Sequence, residues 1–383
     1  MHSVPPRRTR TWATLAVLVL SPIALTGCLP GSGDESEGPH LKLTAAIPDS
    51  GAKKTVLRVG DPQTQVALRL SGLGKNLPIK IQWANVSGGP ETLEAFRADA
   101  IDVGSVADIP PLFAQWSGTD VKIIAARYTQ DPLDHPVYEL GIAPGADVDK
   151  LADIKGKKIA YSPGQAQGAL VLKLLKKLGL EKNDVDLVEM QSVDDVYVNA
   201  LGSGQVDVAP LGQSLVPPLL SKYGKEGAKT LSPGIRDDAW HLYTPTEVLE
   251  DANKASALKR YVAVWGKAQR WISAHPDEFA QGYYVQHEGL APEDAKYIVH
   301  ALGKYNVPAD WSSAIAREQK TVDLLVKEQG HPPLDLSKMY DHRFEGVGAD
   351  PSAEAAKSGA AKSGTAKPGA SAKAGGAAKK ESR

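Results

Sequence analysis

Short apolar runs alternate with amphipathic helical stretches through most of the chain. Runs of this kind predict strands, and apolar residues recurring every three or four positions predict helices. The predicted strands are Val56–Val59, Ile79–Trp83, Ile101–Gly104, Val121–Ala126, Lys158–Tyr161, Asp186–Met190 and Val206–Pro210. The predicted helices between them are Val66–Leu70, Glu91–Arg97, Pro111–Trp116, Ala169–Leu178, Val196–Leu201 and Gln213–Tyr223. This alternation predicts an α/β protein with parallel-type sheets and helices on both faces.

From about Thr246 onward the pattern is helical only. The predicted helices there are Ala255–Ala274, Pro276–Gln286, Pro292–Leu302 and Ser312–Gly330. Prolines mark several of these starts, because a proline fits the first turn of a helix and not its interior. Two α/β units followed by a helical stretch predict two lobes with a cleft between them.

The N-terminal residues carry the pattern of an export signal. A basic region ending at Arg10 precedes an apolar run from Trp12 to Leu25, and small residues then lead to Cys28. This order is typical of a secretory signal peptide, and the run is shorter than the ~20 residues that a spanning helix needs. The segment ending at Cys28 resembles a bacterial lipobox. We therefore expect residues 1–27 to be a lipoprotein signal peptide and Cys28 to carry the lipid; the alternative is an ordinary signal peptide with an incidental cysteine.

Both ends of the remaining chain are poor in patterned apolar residues. Residues 28–54 are rich in Gly, Pro, Ser, Asp and Glu, which predicts a flexible tether behind the lipidated cysteine. Residues 346–383, which from position 349 are almost entirely Ala, Lys, Gly, Ser and Pro, predict a disordered tail. Such a composition buries too little apolar surface to offset the entropy lost on ordering. The basic tail is either solvated or in contact with an anionic surface.

Composition and motifs exclude several classes of protein. A net charge of -1 gives no basic field for a nucleic acid, and one cysteine allows neither an intramolecular disulfide nor a thiolate cluster. The chain has no phosphate-cradling Gly-x4-Gly-Lys-Ser/Thr loop and no Gly-x-Ser-x-Gly nucleophile elbow. We expect no enzymatic activity, no catalytic residues, no cofactor and no metal. The scattered histidines lack short ligand spacing, which disfavours a metal-uptake receptor without eliminating it.

Four segments of the predicted folded part carry a recognisable pattern. They are Val86–Ala95, Ile101–Gln115, Leu151–Ala160 and Gly202–Val208. These segments resemble the aliphatic sulfonate, taurine and nitrate solute-binding proteins of ABC importers. With two later stretches, Tyr283–Asp294 and Asp335–Phe344, the resemblance covers residues 55–345. The chain departs from many relatives at Pro210–Ser214, in place of a Trp-Asp-Pro-type sequence, and this departure bears on the ligand rather than on the fold.

The resemblance implies a two-lobed type II periplasmic-binding-protein fold with two parallel-type sheets flanked by helices. The hinge would consist of two crossing strands, near Tyr138–Ile142 and Trp240–Tyr243. Lobe 1 would then comprise residues 55–140 and 244–345, and lobe 2 residues 141–243, with the C-terminal helices packed on lobe 1. The implied partners of this expected monomer are a small-molecule solute, an ABC permease and its ATPase.

Ligands of open α/β sheets bind beyond the carboxyl ends of the strands, where loops lead into helices. The loops that meet this condition are Asp61–Gln65, Ser87–Gly89, Val106–Asp108, Ser162–Gln167 and Leu211–Ser214. Exposed N–H groups and the positive ends of helices favour an anion there. The residues expected to bind ligand are Thr64, Gln65, Ser87, Gly88, Gly89, Ala107, Asp108, Ser162, Gln165, Gln167, Gln213 and Trp240.

The five loops contain no Lys or Arg, so neutral hydrogen bonds and helix dipoles would hold an anion. Arg127, at the end of another strand, is the nearest candidate for a direct charge. Asp108 either contacts a ligand amine or caps the next helix. Trp240 either stacks on the ligand or belongs to the core.

These features predict an exported solute-binding lipoprotein, anchored to the outer face of the cytoplasmic membrane. It would present a small anionic or zwitterionic solute to an ABC importer. A sulfonate is the first candidate for this solute, and taurine or nitrate come next. One alternative interpretation is a ligand-sensing receptor of the same fold. A second alternative is a thiamine-pyrimidine-related binding protein or enzyme, although the synthases of that kind depend on a cysteine-rich segment that this chain lacks.

Overall fold

The structure is a computed structural model that describes residues 38–50, 52 and 55–349. The strands are β1 Val56–Gly60, β2 Lys80–Trp83, β3 Val103–Ala107, β4 Val121–Thr129, β5 Tyr138–Ile142, β6 Lys158–Tyr161, β7 Asp186–Glu189, β8 Val208–Gly212, β9 Lys229–Leu231, β10 Trp240–Pro245 and β11 Tyr305–Asn306. The helices are α1 Pro62–Ser71, α2 Gly89–Arg97, α3 Ile109–Trp116, α4 Ala166–Leu178, α5 Val196–Gly202, α6 Val216–Tyr223, α7 Thr246–Glu250, α8 Ala252–Ala274, α9 Pro276–Phe279, α10 Pro292–Leu302 and α11 Ser312–Gln329. The predicted signal peptide, Cys28 and residues 350–383 lie outside the described residues.

Sheet 1 has six strands in the order β11-β4-β10-β3-β1-β2. Strands β2, β1 and β3 are parallel, as the alternation of strands and helices predicts, whereas β10 runs antiparallel between β3 and β4. Sheet 1 and its helices form lobe 1. Its core includes the side chains of Leu57, Val59, Val103 and Ile123, which are fully or almost fully buried. These β-branched and aliphatic residues fill the space between the sheet and its helices.

Sheet 2 has five strands in the order β7-β6-β8-β5-β9. Strands β7, β6 and β8 are parallel, and β5 is antiparallel to both β8 and β9. Sheet 2 with α4, α5 and α6 forms lobe 2, which has its own cluster of buried side chains around Leu140, Ile159 and Val208. The expected α/β architecture of two sheets flanked by helices is confirmed.

Two connections join the lobes, and each lies a few residues before the predicted crossing. Strand β5 belongs entirely to sheet 2 and β10 entirely to sheet 1. The chain therefore passes between sheets in residues 130–137 and again in residues 232–239, which we term the first and second crossing segments. The predicted boundaries after residues 140 and 243 cut through these two strands, because the prediction placed the crossings in apolar, strand-like runs, whereas both crossing segments are rich in polar residues and proline.

The C-terminal stretch is not purely helical, in contrast to the prediction. The two-residue strand β11 pairs with β4 at the edge of sheet 1. The predicted helix Pro276–Gln286 is instead a short α9 followed by a π-helical turn, Ala280–Val285. The strand β9 was also missed, and β3 begins two residues later than predicted. Short edge strands depend on a partner elsewhere in the chain, so local pattern identifies them poorly.

The long C-terminal helices pack on lobe 1, with one extension to lobe 2. Helix α8 lies against α1, β1 and β4. Helix α11 also contacts α4 of lobe 2, and the Gln329 side-chain amide at its end donates a 2.5 Å hydrogen bond to the hydroxyl of Tyr161 on β6. Four apolar residues of α4, beginning at Ala166, belong to the lobe 1 core. The lobes are therefore in direct contact in the described arrangement. No helix among the described residues is long and apolar enough to cross a membrane.

The segment at residues 38–50 is docked on lobe 1, so the flexible tether predicted for residues 28–54 does not hold there. The backbone N–H of Leu41 donates to the carbonyl of Glu250 at 2.6 Å, and that of Gly38 donates to the Asp251 carboxylate at 2.6 Å. Ile47 is buried in the lobe 1 core. Apolar residues spaced by polar ones without a helical or strand period gave no sign of this docking in the sequence.

The disordered tail predicted for residues 346–383 is likewise wrong for its first residues. The Arg270 guanidinium on α8 donates a 3.0 Å hydrogen bond to the Gly348 carbonyl. Gly266 lies beneath this segment, and a Cβ there would overlap Gly348. A glycine on α8 thus permits the close approach that holds residues 346–349 on the helix.

A buried carboxylate joins three elements of lobe 1. Asp102, which is fully buried at the start of β3, accepts hydrogen bonds from the Arg58 backbone N–H at 2.7 Å and the Arg58 guanidinium at 2.7 Å. The Lys254 ammonium on α8 lies 2.9 Å from the same carboxylate. Burial alone would raise the pKa of Asp102, but the hydrogen bonds from Arg58 and the charge of Lys254 outweigh it and lower that pKa.

Asp102→Asn should lower the free energy of unfolding by about 3 kcal/mol at pH 7, because it leaves two partly buried cations without their counter-charge. A lowered carboxylate pKa gives stability that is present above the unfolded pKa of about 4 and is lost as the pH falls through the folded pKa. The difference in the free energy of unfolding between the unmodified protein and Asp102→Asn, measured in urea, should therefore become smaller as the pH falls. Asp99→Asn, an exposed partner of Arg58, is the matched control and should change stability by less than about 1 kcal/mol. A difference that stays constant from pH 7 to pH 3 would contradict this account.

Candidate ligand-binding site

A cleft of ≈ 620 Å³ lies between the two lobes. Lobe 1 contributes the ends of β3 and β4 and the start of β10, and lobe 2 contributes the start of α4 and the residues after β8. Apart from the start of the antiparallel strand β10, these are the carboxyl ends of parallel strands and the loops that follow them, where open α/β sheets bind ligands. We take this cleft as the candidate site.

Seven of the twelve residues expected to bind ligand line the cleft. They are Gly88, Gly89, Ala107, Gln165, Gln167, Gln213 and Trp240. The other five are Thr64, Gln65, Ser87, Asp108 and Ser162, and none of them is among the residues that line it. The loop rule points to the edge of each sheet that faces the cleft, but not to the direction of each side chain. Whether these residues bind ligand stays a prediction.

Two of the five are buried in lobe 1 at the starts of helices. Thr64 is fully buried in α1, where its hydroxyl accepts a 3.2 Å hydrogen bond from the Gln269 amide of α8. Asp108 is buried before α3 and makes no capping hydrogen bond with its side chain, so the capping alternative is wrong. Its carboxylate instead lies 4.0 Å from the Lys173 ammonium of lobe 2. Ser162 is also buried, whereas Ser87 is exposed.

The glutamine side chains of the cleft are already bonded to the protein. The Gln165 amide accepts from the Ser192 backbone N–H at 2.8 Å and donates to the Ser192 carbonyl at 3.1 Å. The Gln213 amide donates to the Pro136 carbonyl at 2.7 Å and accepts from the Tyr297 hydroxyl at 3.0 Å. These amides fix the loops of the cleft, and the Gln213 bonds also join lobe 2 to the first crossing segment and to α10. Their role as free donors to a ligand is correspondingly reduced.

Trp240 is placed in the cleft by the pairing of β10. It lies opposite Ala107 of β3 and opposite Arg127 of β4, and residues directly opposite on neighbouring strands share one face of the sheet. The indole N–H donates a 2.7 Å hydrogen bond to the Ser105 hydroxyl, which holds the ring in place. Trp240 therefore lines the cleft and does not belong to the core, and its stacking on a ligand stays a prediction.

Arg127 is the cation of the cleft. Its guanidinium carbon lies 3.8 Å from the centroid of the Tyr305 ring and 5.1 Å from that of Trp240, and Nη2 donates to the Gln63 amide oxygen at 3.2 Å. The residue is 4% exposed, and Nη1 is buried without a hydrogen-bond partner among the described residues. A buried donor without a partner is unfavourable by about 1–3 kcal/mol, more when it is charged. A ligand oxygen would relieve this deficit.

The carboxyl group of Asp61 is buried in lobe 1 and interacts electrostatically with Arg127. Asp61 accepts hydrogen bonds from the Thr64 backbone N–H and the Tyr261 hydroxyl, both at 3.1 Å. Burial raises the pKa of Asp61, while the bonds from Thr64 and the positive charge of Arg127 partly oppose that rise. Asp61 and Arg127 therefore interact electrostatically, and the stacking against Tyr305 and Trp240 orients the guanidinium.

The electrostatics of the cleft are mixed. Helices α2, α3 and α4 begin at its wall, so the positive ends of three helix dipoles are directed towards it. Within the described chain, Arg127 is the one Lys or Arg of the lining, whereas the lining carboxylates are Asp194, Asp195, Asp238 and Glu288. Asp238 is paired with Arg236 at 2.7 Å and Asp195 with Lys222 at 2.9 Å. This distribution suits an anionic head group and tolerates a cationic end elsewhere in the cleft.

Several cleft residues were missed because they come from the C-terminal half of the chain. The helical stretch that was expected only to pack on lobe 1 also lines the cleft, with Tyr283, Tyr284, Glu288, Leu290, Ile298, Leu302 and Tyr305. The adjacent tyrosines at 283 and 284 gave a weak signal, because paired aromatics at a helix surface are found in both cores and binding sites. No cluster of three or more His, Cys, Asp or Glu among the described residues is arranged to hold a metal ion.

Comparison with known proteins assigns the family. The chain belongs to the NMT1/THI5-like family, whose model matches residues 78–279. It is 31% identical over 292 residues to a candidate aliphatic sulfonates-binding protein of Escherichia coli (strain K12), an alignment that spans 75% of this chain and 76% of the relative. This relative is named as a binding protein and not as an enzyme. The homology supports a solute-binding role.

Solved structures confirm the fold. The alkanesulfonate-binding protein SsuA from Xanthomonas axonopodis pv. citri, bound to MOPS, superposes with a TM-score of 0.61 at 21% identity, covering 77% of this chain and 99% of that one. The periplasmic aliphatic sulphonate binding protein SsuA from Escherichia coli gives a TM-score of 0.61 at 19% identity, covering 74% and 91%. The chain therefore has the periplasmic-binding-protein fold expected from its sequence.

Two glycines of the cleft should differ sharply in their tolerance of a methyl group. A Cβ at Gly89 would overlap the Pro110 ring at the start of α3, whereas a Cβ at Gly212 would have nothing within 4 Å, and Gly212 has an ordinary φ of -61°. Gly89→Ala should therefore lower the free energy of unfolding by about 1–3 kcal/mol, through overpacking between α2 and α3. Gly212→Ala, the matched control, should change it by less than about 0.5 kcal/mol. Equal stabilities of the two variants in urea unfolding would refute the close packing of these helix starts.

Proposed function

We propose that this protein is an extracytoplasmic solute-binding lipoprotein that delivers a sulfonate-like anion or zwitterion to the permease and ATPase of an ABC importer. The ligand is held in the cleft between the lobes. The 31% identical relative named for aliphatic sulfonates supports this class of ligand. In this proposal the protein is exported as a monomer, is anchored through lipid on Cys28, and has no enzymatic role.

Arg127 is the observation that carries the proposal. It combines a fixed positive charge, a partnerless Nη1 and a position in the lining of the cleft. Arg presents planar N–H donors that match two oxygens of a sulfonate at once, which a lysine ammonium does not do. The stacked rings of Tyr305 and Trp240 restrict its rotation, so little side-chain entropy is lost when an anion binds.

Entry of the anion requires a local movement. Nη1 is covered in the described arrangement, and Gln63 occupies Nη2. An entering sulfonate would take the place of the Gln63 amide or displace the Tyr305 ring. This exchange keeps the affinity moderate, because part of the new bond replaces an existing one. Moderate affinity suits a protein that must release its solute to a permease.

The apolar part and the acidic rim of the cleft define the rest of the ligand. Leu215, Leu290 and Ile298 supply apolar surface for an alkyl chain. Asp194 and Glu288 supply carboxylates that favour a ligand amine over a second anionic group. Alkanesulfonates and aminoalkanesulfonates such as taurine therefore fit better than compact nitrate, which would leave the apolar surface unfilled.

Arg127→Met should abolish most of the affinity for an alkanesulfonate. Titration calorimetry should show that the unmodified protein binds butanesulfonate and taurine more tightly than nitrate. The affinity for the two sulfonates should fall about 10–100-fold in the variant, because a hydrogen bond to a charged group contributes about 1.5–3 kcal/mol. Arg127→Lys should recover only part of this loss, since it keeps the charge without the planar donors. Arg97→Met, which removes an exposed guanidinium of α2 in lobe 1, is the control and should bind normally. Unchanged affinity in Arg127→Met, or binding of neither sulfonate, would contradict the proposed function.

The lipid anchor has its own test. Cys28→Ala should move the protein from the membrane fraction to the soluble fraction of the cells that export it, because it removes the thiol that would carry the lipid. Metabolic labelling with a fatty acid should mark the unmodified protein and not the variant. Fatty-acid labelling that persists in Cys28→Ala would show that Cys28 is not the lipidated residue.

A further inference from the structure

A buried cluster of three charged groups joins the two lobes behind the cleft. Lys173 lies on α4 of lobe 2, and its ammonium is 2.5 Å from the Asp237 carboxylate of the second crossing segment. The same ammonium is 4.0 Å from the carboxylate of Asp108 in lobe 1. The side chains of Lys173, Asp237 and Asp108 are 17%, 4% and 9% exposed. The cluster therefore holds together three parts of the chain that must separate if the lobes part.

Each member of the cluster is adjacent to residues of the cleft wall. Helix α4 begins with Ala166 and Gln167 in the lining, and Lys173 lies about two turns further along the same helix. Ala107 and Asp238, the immediate neighbours of Asp108 and Asp237, also line the cleft. Separation of the cleft walls would therefore break the contacts that Lys173 makes across the lobes, although Lys173 itself does not line the cleft.

The charges of the cluster do not balance when all three groups are ionised. Two carboxylates face one ammonium, and Asp237 Oδ2 is buried without a hydrogen-bond partner among the described residues. Removing an unbalanced charge from water is strongly unfavourable, and such a site usually becomes neutral by binding a proton. A protonated Asp108 beside the Lys173–Asp237 ion pair satisfies this requirement, because Asp108 is the carboxylate further from the ammonium.

The environment of the two carboxyl groups also favours a proton on Asp108. The other titratable or charged groups that face the two carboxylates are Asp238 of the second crossing segment, Tyr138 of β5, His241 of β10 and Glu318 of α11. Burial raises the pKa of Asp108 to about 7; the charges of Asp237 and Glu318 add to this rise, and that of Lys173 opposes it. Burial lowers the pKa of Lys173, but the neighbouring carboxylates outweigh it and raise that pKa, so the ammonium stays charged.

We propose that Lys173, Asp108 and Asp237 form a latch that holds the lobes closed over the cleft and takes up a proton on Asp108 as the lobes close. When the lobes part, Asp108 is hydrated and releases the proton. Closure is therefore favoured as the pH falls through neutrality. This inference goes beyond the proposed function, because the latch acts on the lobes whatever solute the cleft holds.

The sign and the pH window follow from linkage. A hydrated aspartate has a pKa of about 4, so between about pH 4 and pH 7 the closed form binds a proton that the open form does not. In that window the closing equilibrium rises by up to about tenfold for each unit that the pH falls. Above pH 7 both forms are ionised, the pH dependence disappears, and the two carboxylates repel each other across the closed interface.

The distance between the lobes can be measured without a ligand. Two exposed positions, Glu91 on α2 and Lys225 on lobe 2, are replaced by Cys in the full chain carrying Cys28→Ser, and both are spin-labelled. Double electron–electron resonance then gives the closed and open populations at pH 8.5 and pH 5.5. The ratio of closed to open should be about 30-fold larger at pH 5.5. In Asp108→Asn, which mimics the protonated acid, the ratio should stay high and independent of pH.

Two further variants separate the latch from general effects of charge. Lys173→Met leaves two buried carboxylates without a counter-charge and should shift the populations towards the open form at pH 8.5, with circular dichroism as the check on folding. Lys155→Met removes an exposed lysine that pairs with Asp184 within lobe 2, and should behave as the unmodified protein. Identical distances at both pH values, or a pH dependence that survives in Asp108→Asn, would overturn the latch. Because no solute is present, this result is independent of whether a sulfonate binds to Arg127.

Discussion

The insertion of β10 between β3 and β4 is the constraint on which the rest of the structure depends. As the chain returns from lobe 2, it enters the middle of sheet 1 rather than its edge, and it pairs antiparallel with both neighbours. That register sets Trp240 beside Arg127 at the cleft, and it brings Asp237 and Asp238 to the boundary between the lobes. The cleft, its cation and the contact between the lobes therefore arise from one pairing. A shift by one residue would turn Trp240 to the opposite face.

The alternation of strands and helices was predictable because it is local. The parallel core of each sheet follows from apolar runs separated by amphipathic helices, and helix α10 has the bounds that were predicted for it. The features that were missed depend on distant partners. Strand β11 is held by β4, and the segment at residues 38–50 is held by α7 and α8. Neither has an internal period, so the sequence alone gives no reason to place them.

The same contrast between local pattern and distant contacts explains which parts of the candidate site could be predicted. The rule that ligands bind beyond strand ends identified seven residues of the lining, because it depends on topology, which the sequence pattern conveys. It failed for Thr64 and Asp108, whose side chains turn to the core and to Lys173, because direction depends on packing. From the sequence, Arg127 was identified only as the nearest candidate for a direct charge on the ligand. Its burial and stacking require Tyr305, which the helical pattern of the C-terminal stretch did not connect to the cleft.

The most direct test of the central claim is a crystal structure of the protein grown with butanesulfonate. The account predicts density for the sulfonate in the cleft between the lobes, with one of its oxygens about 3 Å from Nη1 of Arg127 and the alkyl chain against the apolar lining. The Gln63 amide or the Tyr305 ring should have moved from its present contact with the guanidinium. A sulfonate bound elsewhere on the protein, or held in the cleft without contact to Arg127, would contradict the account.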